Sequence, residues 1–221
     1  MKIVSFVPIK LNNERFPGKN LRIFTNGEPL LRYILNTLKA IKNEFNADVY
    51  VYCSDETIIN FLPKDVKFLK RCSSLDQNST KINEVIQSFI QDIEADIYVM
   101  SHATSPFISS NSIRKGIISV MSGDYDSAFA VKSIQDFLWK ESKPINYDIT
   151  NIPRTQDLEK IYAETSGFYI FKKEVFNNNS CRIGLNPNLV EVNEIEAIDI
   201  DTKEDFEFAD AIFNYRNLRI D

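Results

Sequence analysis

Short apolar runs alternate with segments of helical period over the first 131 residues, and this alternation constrains the fold more than any other feature of the chain. Runs typical of buried strands lie at residues 3–9, 48–53, 66–69, 96–100 and 127–131. Apolar residues recur at helical spacing over residues 29–45, 80–93 and 111–121, and Ser54 or Asp55 can cap a short helix before Pro63. Strands and helices that alternate through short connections predict βαβ units, and hence an α/β fold with a mostly parallel sheet covered on both faces.

The alternation stops between Ser133 and Glu164. This stretch has two prolines and few periodic apolar positions, and a connection of this length either has a function of its own or is disordered. Its aromatic residues Trp139, Tyr147 and Tyr162 argue against disorder. Beyond it, the sequence predicts a strand at 167–171, a strand-like segment at 197–200 and a helix from 202 to about 216.

The overall charge argues against a general nucleic-acid binder. The formal net charge is −5 for 221 residues, whereas such binders are usually basic. The first residues enter a predicted strand at once, so we expect no signal peptide, and no apolar run approaches the roughly 18 residues of a membrane span. We therefore expect a cytoplasmic protein whose partners are neither nucleic acids nor membranes.

A basic loop follows the first predicted strand. Residues 7–21 read VPIKLNNERFPGKNL, and together with the next residue they carry four cations: Lys10, Arg15, Lys19 and Arg22. In parallel α/β sheets, ligands sit beyond the carboxyl ends of the strands, and cationic side chains there can pair with polyphosphate oxygens. A solvated basic turn is the simpler interpretation, because both the phosphate-loop motif and the dinucleotide fingerprint are absent.

An acidic pair near the end of the chain complements this loop. Residues 197–205 read AIDIDTKED, and in a strand the side chains of Asp199 and Asp201 would point to the same side. Two adjacent carboxylates repel unless a cation lies between them, and Mg²⁺ commonly takes one or two carboxylates together with substrate phosphates. Alternatively, Asp201 caps the following helix and Asp199 faces water. A basic loop combined with an acidic pair favours a nucleotide site with a divalent metal.

His102 is the only histidine, and it follows the fourth predicted strand in the segment SHATSP. A single histidine is more often a structural residue than a catalyst. This position, however, lies where a substrate would bind in a parallel sheet. Both substrate contact and a structural role are open for His102 at this point.

Three segments together resemble the acylneuraminate cytidylyltransferases: the first loop, ATSPF after the fourth strand, and AIDIDTKEDFEFA near the end. The segment RTQDLEKIYAETSGFYIFKKEVF is similar to the family's approach to a late strand, and the first loop also looks partly like that of the ketodeoxyoctulosonate cytidylyltransferases. The resemblance implies a Rossmann-like nucleotidyltransferase fold over a single domain, 1–221. It also implies that residues 133–165 form an insertion that makes a homodimer and helps close the acceptor site, and that the protein serves cell-surface polysaccharide biosynthesis.

The resemblance further implies roles for individual residues. It implies CTP as a substrate and Mg²⁺ as a cofactor held by Asp199 and Asp201, with a CMP-sugar and pyrophosphate as products. The residues implied to be catalytic are Lys19, Arg15 and Asp201. The residues implied to bind the nucleotide are Lys10, Asn12, Asn20, Arg71, Ser79 and Thr80. The residues implied to bind the acceptor are His102, Thr104 and Glu164.

The expected reaction is transfer of CMP from CTP to a nonulosonate-like sugar acid, whose anomeric hydroxyl attacks the α-phosphate. One alternative keeps the fold and the use of CTP but takes another acid or a phosphorylated alcohol as acceptor. Another alternative is a nucleotide-binding protein without turnover. Magnesium-binding carboxylates favour the enzyme over this last possibility.

The residues around the acceptor argue against N-acetylneuraminate. Glu164 would repel the carboxylate of a sugar acid, and its segment, YAETSG, contains no arginine. We therefore predict that N-acetylneuraminate is a poor acceptor, and that the true acceptor is a related acid with altered substituents. Alternatively, Glu164 turns away and another cation, such as Lys140 of the partner subunit, binds the carboxylate.

Overall fold

The structure is a computed structural model that describes residues 1–217, so residues 218–221 of the predicted domain lie outside the described residues. Within this part, five α-helices are present: α1 (Leu30–Phe45), α2 (Ile82–Asp92), α3 (Ser110–Met121), α4 (Lys173–Asn179) and α5 (Lys203–Asn217). The strands of the same part are β1 (Ile3–Ile9), β2 (Asp48–Cys53), β3 (Lys67–Lys70), β4 (Ile97–Ser101), β5 (Ser127–Ile134), β6 (Trp139–Lys140), β7 (Lys143–Pro144), β8 (Ile161–Lys172) and β9 (Pro187–Glu191).

Seven strands form one sheet in the order β3-β2-β1-β4-β8-β5-β9. The first four strands in this order are parallel to one another, and β9 is parallel to β5. Only β8 runs against its neighbours β4 and β5. The sheet is therefore mostly parallel, as predicted, and the carboxyl ends of β1, β2, β3 and β4 meet at one edge.

Both faces of the sheet are covered by helices, which explains why the strands read as continuous apolar runs. Val7 and Ile9 of β1 belong to a cluster that contains the apolar sides of α1 and α3. Val4 and Phe6 point the other way, into a cluster with α2 and α4. None of the described helices is long and apolar enough to cross a membrane.

Most predicted elements lie within two residues of their observed bounds. The first two strands match, α1 begins one residue after Pro29, and the short helix after β2 is a 3-10 helix, Glu56–Phe61. Asp55 caps that helix, because its side chain accepts a hydrogen bond from the backbone N–H of Thr57. These elements are set by local apolar spacing and capping, which the sequence displays directly.

Three predictions need correction. Residues 197–200 are not a strand, because they end a turn and continue as irregular backbone that pairs with no strand. The backbone N–H of Ile200 instead donates to the carbonyl oxygen of Thr104 at 2.8 Å. The strands beside the insertion are longer than predicted, since β5 continues to Ile134 and β8 begins at Ile161, and a small β6–β7 hairpin lies between them. Strand β9 has no counterpart among the elements that the sequence predicts.

Strand β8 bulges where it passes the carboxyl end of β4. Between the register pairs Phe129↔Tyr169 and Val131↔Glu164, β5 advances two residues while β8 advances five. The Thr165 hydroxyl fixes the extra residues by donating to the carbonyl oxygen of Ala130 at 3.2 Å. Bulges redirect side chains and are common beside active sites, and this one folds Glu164 back toward Tyr169.

The packing of α3 on the sheet depends on Gly116. A Cβ atom there would lie 2.7 Å from Cδ1 of Ile170 and 3.1 Å from Cε2 of Phe168, and both side chains are fully buried. We expect Gly116→Ala to lower the free energy of unfolding by about 1–3 kcal/mol, because overpacking outweighs the gain in helix propensity. Urea unfolding tests this, with the exposed Lys115→Ala in the same helix as the control. A stabilised Gly116→Ala variant would contradict the packing argument.

Candidate active site

The basic loop is built around a buried lysine. Lys19 follows Gly18, whose φ of 72° lies in the left-handed region that favours glycine, and it begins a single turn of 3-10 helix. Only 8% of Lys19 is exposed. Its Nζ donates to the carbonyl oxygen of Ile200 and to Oδ1 of Asp201, both at 2.8 Å. Lys19 thereby joins the first loop to a segment 181 residues further along the chain.

An aromatic cluster supports this junction from beneath. Phe16 and Phe24 of the loop pack with Ile200 and with Phe206 of α5, and the rings of Phe24 and Phe206 stack at 4.1 Å. The guanidinium carbon of Arg22 lies 4.8 Å from the centre of the Phe16 ring. The fourth cation of the loop therefore covers the cluster, whereas the other three line a cleft.

Asp201 is paired with two of those cations. Its Oδ2 accepts from Nη1 of Arg15 at 3.0 Å, while its Oδ1 accepts from Lys19. Helix α5 is capped by Thr202, whose hydroxyl accepts from the backbone N–H of Asp205 at 3.2 Å. The Asp205 carboxylate in turn accepts from the N–H groups of Asp201 and Thr202. The alternative in which Asp201 caps the helix is therefore wrong, and its carboxylate lines the cleft.

The cleft beyond β1 has a volume of about 360 Å³ and a basic lining. Three cations meet two carboxylates there, so the local balance is positive on an acidic protein. The residues that line it are Lys10, Asn13, Glu14, Arg15, Phe16, Lys19, Asn78 and Asp201. Lys10 Nζ also donates to Oδ1 of Asn78 at 2.9 Å, which closes one side. Such a lining can hold a polyphosphate.

A second cleft, of about 260 Å³, adjoins the first, because Lys10 and Asn78 line both. Its other lining residues include Arg71, Thr80 and His102, with apolar side chains from the start of α2. A charged cleft beside a partly apolar one can accommodate the phosphates and the base of a nucleotide, respectively.

Arg71 is only 5% exposed, and its guanidinium group is already engaged. Its Nε donates to Oδ1 of Asp76 at 3.1 Å, and its Nη2 donates to the same oxygen. The other oxygen of Asp76 accepts from the hydroxyl of Ser54. A buried and hydrogen-bonded pair of this kind is costly to break, so Arg71 helps to shape the second cleft as well as lining it.

His102 is half-buried between the second cleft and Tyr169, and the centres of the two rings are 6.5 Å apart. Burial lowers the pKa of His102 to about 4, and the positive charges of Arg182 and Lys19 act in the same direction. The imidazole is therefore neutral near pH 7, with one nitrogen that can donate a hydrogen bond and one that can accept.

Glu164 is exposed and lies beside Tyr169, whose hydroxyl donates to Glu164 Oε2 at 2.9 Å. The guanidinium carbon of Arg182 lies 3.5 Å from the centre of the Tyr169 ring, on a loop that follows α4. The segment YAETSG contains no arginine, but the fold thus supplies one from elsewhere in the chain. Glu164, Arg182 and His102 thus surround Tyr169, and we call these four residues the Tyr169 group.

Asp199 does not face water, so that alternative is wrong. It is half-buried, its Oδ2 accepts from the hydroxyl of Ser166 at 2.8 Å, and its buried Oδ1 has no hydrogen-bond partner among the described residues. A buried carboxylate oxygen without a partner is the kind of group that a cation would satisfy. Residues 1–217 contain no group of three or more histidine, cysteine, aspartate or glutamate side chains that could hold a metal by themselves.

Four other candidate residues lie away from the lining of the two clefts. Asn12 is exposed and lies against the backbone of Asp76, while the buried Asn20 holds the loop by donating to the carbonyl oxygen of Lys10 at 3.1 Å. Ser79 is exposed beside the lining residue Asn78. The fourth, Thr104, accepts the backbone hydrogen bond from Ile200 described above.

Sequence reasoning missed Asn13, Asn78, Tyr169 and Arg182. Asn13 and Asn78 are adjacent to the candidates Asn12 and Ser79, and the clustering of polar residues after the predicted strands is a signal that includes them. Tyr169 reads as an ordinary strand residue, and Arg182 lies in a stretch without a recognisable element. Only the folded chain brings the last two together.

A model of the cytidylyltransferase family matches residues 4–220. The chain belongs to this family. N-acylneuraminate cytidylyltransferase A of Danio rerio is 28% identical over 204 residues, which cover 88% of this chain and 46% of that relative. Pseudaminic acid cytidylyltransferase of Campylobacter jejuni is 23% identical over 239 residues, which cover 96% of this chain and 97% of that relative.

The fold is shared with a solved structure of CMP:2-keto-3-deoxy-manno-octonic acid synthetase in complex with CTP. The TM-score is 0.73 at 18% identity, with 98% of this chain and 100% of that chain covered. These findings confirm the family resemblance and the predicted fold class. The chain spans less than half the length of the curated N-acylneuraminate cytidylyltransferases that it matches.

The lowered pKa of His102 predicts a pH-dependent stability. Between its ordinary pKa of 6.5 and about 4, the unfolded chain binds a proton that the folded chain does not, so stability falls as the pH is lowered through this range. We expect wild-type protein to lose about 1–2 kcal/mol more than His102→Gln between about pH 7 and pH 5. Urea unfolding of both proteins at the two pH values measures this. Equal losses would contradict a lowered pKa of His102 in the folded protein.

Proposed function

We propose that this protein is a CTP-dependent cytidylyltransferase that transfers CMP to a sugar acid and releases pyrophosphate. The observation that carries the proposal is the pair of adjoining clefts, one lined by Lys10, Arg15 and Lys19 and the other by Arg71 and Thr80. A relative of the same fold was solved with CTP bound, and curated relatives are cytidylyltransferases. Both facts support the same nucleotide for this chain.

In the proposed reaction, a hydroxyl group of the acceptor loses its proton, and its oxygen forms a bond to the α-phosphorus as the bond to pyrophosphate breaks. Lys10, Arg15 and Lys19 bind the triphosphate and neutralise its charge as it shifts toward the leaving group. Lys19 is preorganised, because the carbonyl oxygen of Ile200 holds its ammonium group within the loop. Arg15, whose side chain is 77% exposed, is free to move from Asp201 to a phosphate.

Asp199 and Asp201 fit the role of magnesium ligands. The unpaired Oδ1 of Asp199 lies in the interior, and Asp201 lines the phosphate cleft with 47% of its side chain exposed. When bound, Mg²⁺ would supply Lewis-acid polarisation of phosphate oxygens. Binding of the triphosphate by Arg15 and Lys19 would release Asp201 oxygens that both residues engage in the free protein.

The acceptor that we propose is a sugar acid, the substrate class named for the curated relatives. Within this class, Glu164 favours an acid that places a cationic group, rather than its own carboxylate, close to it, because an exposed carboxylate repels a second one. N-acetylneuraminate as a poor acceptor stays a prediction.

An assay of pyrophosphate release tests the proposed function. The protein is incubated with Mg²⁺ and, in turn, CTP, UTP, ATP or GTP, each with N-acetylneuraminate, pseudaminate, 2-keto-3-deoxy-octonate or glycerol 3-phosphate. We expect release that requires CTP and one of the sugar acids. Release only with glycerol 3-phosphate would favour a phosphorylated alcohol as acceptor, and binding of CTP without release in any mixture would favour a non-catalytic nucleotide-binding protein.

The substitution Asp201→Asn separates a metal ligand from a structural residue. Because the side chain of Asp201 is about half exposed, and the amide oxygen of the variant can still accept the hydrogen bond of Lys19, we expect the free energy of unfolding to change by only about 1 kcal/mol. We expect turnover to fall by at least about a hundredfold, since metal stabilisation of the transition state is worth several kcal/mol.

The matched control for this prediction is Asp205→Asn, four residues further along the chain. It weakens the cap of α5 by about 0.5–2 kcal/mol and should keep most of the activity, because Asp205 does not line the phosphate cleft. Near wild-type turnover of Asp201→Asn, at any Mg²⁺ concentration, would remove Asp201 from the catalytic residues.

We further propose that the insertion forms a homodimer and closes the acceptor site of the partner. Its apolar side chains are unusually exposed: Trp139, Ile145, Ile149 and Ile152 each expose more than half of their surface. A concentration of exposed apolar side chains on one segment is typical of a protein interface. A symmetric dimer would bury the same patch on both subunits.

Light scattering of the protein and of the double variant Ile149→Ser, Ile152→Ser tests the dimer. We expect wild-type protein to have the mass of two chains and the double variant to dissociate, with a raised KM for the acceptor. Ile59→Ser is the control, because Ile59 is 48% exposed near β3, at the opposite edge of the sheet from β9. A fully active wild-type monomer would reject the proposal.

A further inference from the structure

The Tyr169 group contains a cation, Arg182, that has no role in the proposed mechanism. Arg182 follows α4 by three residues, after Ser180 ends the helix in the left-handed conformation with a φ of 48°. Its guanidinium carbon lies 3.5 Å from the centre of the Tyr169 ring, which is close for a cation–π contact. Tyr169 is 4% exposed, so Arg182 covers a ring that belongs to the core.

The loop that carries Arg182 is anchored to the start of β5 at several points. The backbone N–H of Gly184 donates to the hydroxyl of Ser127 at 2.9 Å. The N–H groups of Leu185 and Asn186 donate to Oδ2 of Asp126 at 2.8 and 3.0 Å. A Cβ atom on Gly184 would lie 2.3 Å from the Asp126 carboxylate, so this close approach requires glycine. Arg182 therefore projects from a fixed loop.

In the described part of the chain, no carboxylate lies within 4.0 Å of the guanidinium nitrogens of Arg182, so its positive charge has no ionic partner there. Glu164, which also contacts Tyr169, accepts from the hydroxyl of that residue. Arg182 also contributes to the lowered pKa of His102, so its charge is felt at the edge of the second cleft. A partly buried guanidinium without a carboxylate beside a neutral imidazole suits an anionic ligand.

We propose that Arg182 determines acceptor specificity by binding the carboxylate of the sugar acid, an inference that rests on the proposed function. A guanidinium group that stacks on an aromatic ring lies parallel to the ring and keeps its N–H groups at its edge. Two of these N–H groups can donate parallel hydrogen bonds to the two oxygens of one carboxylate. Arg182 would thus supply the cation that the segment around Glu164 lacks. Glu164 then faces a different substituent, and the two opposite charges fix the orientation of the acid.

A simple structural role is the competing explanation, in which Arg182 only shields the Tyr169 ring. The two explanations differ in what they predict for a substrate without a charge on its acid group. If Arg182 binds the carboxylate, its removal affects the free acid but not the methyl ester. If Arg182 only shields the ring, its removal affects both substrates alike.

The experiment measures kcat/KM for the free acid of the panel that is used best and for its methyl ester, with wild-type protein and with Arg182→Gln. We expect Arg182→Gln to lower kcat/KM for the free acid by about 10–100-fold, the usual effect of losing hydrogen bonds to a charged group. We expect its kcat/KM for the ester and its KM for CTP to stay within about twofold of wild type, a change of less than half a kcal/mol.

Two further variants complete the design. Arg182→Lys keeps the charge without the two-pronged geometry, and it should recover part of the preference for the acid over the ester. Arg114→Gln is the control, because Arg114 is an exposed arginine of α3 that pairs with Glu44. This control should leave kcat/KM for both the free acid and the methyl ester unchanged. If Arg182→Gln fails to fold, the uncharged Arg182→Met replaces it in the same assays, and an undiminished preference of that variant for the acid over the ester would overturn the proposal.

The outcome distinguishes this inference from the proposed function. Calorimetric titration of the same free acid and ester into protein saturated with CTP, without Mg²⁺, measures acceptor binding independently of turnover. Absence of pyrophosphate release by wild-type protein with every acid would reject the proposed function alone. Retention of the acid-over-ester preference by Arg182→Gln, in kinetics or in titration, would reject Arg182 as the carboxylate-binding residue while leaving the proposed function intact.

Discussion

The contact of Lys19 with Ile200 and Asp201 is the interaction on which the site depends. It connects the loop after the first strand with the segment before the last helix, and both are needed to line the basic cleft beyond β1. Lys19 is buried, so its charge needs the carbonyl oxygen and the carboxylate that it receives. The stacked rings of Phe24 and Phe206 supply the apolar burial that holds these polar partners in register.

The same contact explains how the free protein tolerates a concentrated set of charges. The sequence suggests that two neighbouring aspartates require a metal, but in the structure Asp201 is neutralised by Arg15 and Lys19. The cations that we propose to bind a triphosphate and the carboxylate that we propose to bind a metal are thus paired with each other in the free protein. We expect the two ligands to bind together for this reason, since each frees a partner for the other.

The bulge in β8 organises the other half of the site. Because β8 is antiparallel to β4, its bulged residues lie at the carboxyl end of the parallel strands, beside His102. The bulge turns Glu164 toward Tyr169, and it contains Ser166, which holds Asp199. One irregularity in one strand therefore positions both a candidate metal ligand and the group that would face the acceptor.

The sequence by itself determined the strands and helices of the first 131 residues, because apolar spacing and caps such as Asp55 are local signals. It also indicated the basic loop and Asp201. Only the tertiary structure decided the conformation of residues 197–200 and the position of Arg182, because both depend on contacts between distant parts of the chain. Residues 197–200 alternate like a strand, yet no neighbouring strand pairs with them, so the alternation was misleading. Arg182 reaches Tyr169 only because its loop is anchored to Asp126 by hydrogen bonds from Leu185 and Asn186. These residues lie 59 and 60 positions from Asp126 in the chain, so no local sequence pattern indicates the contact.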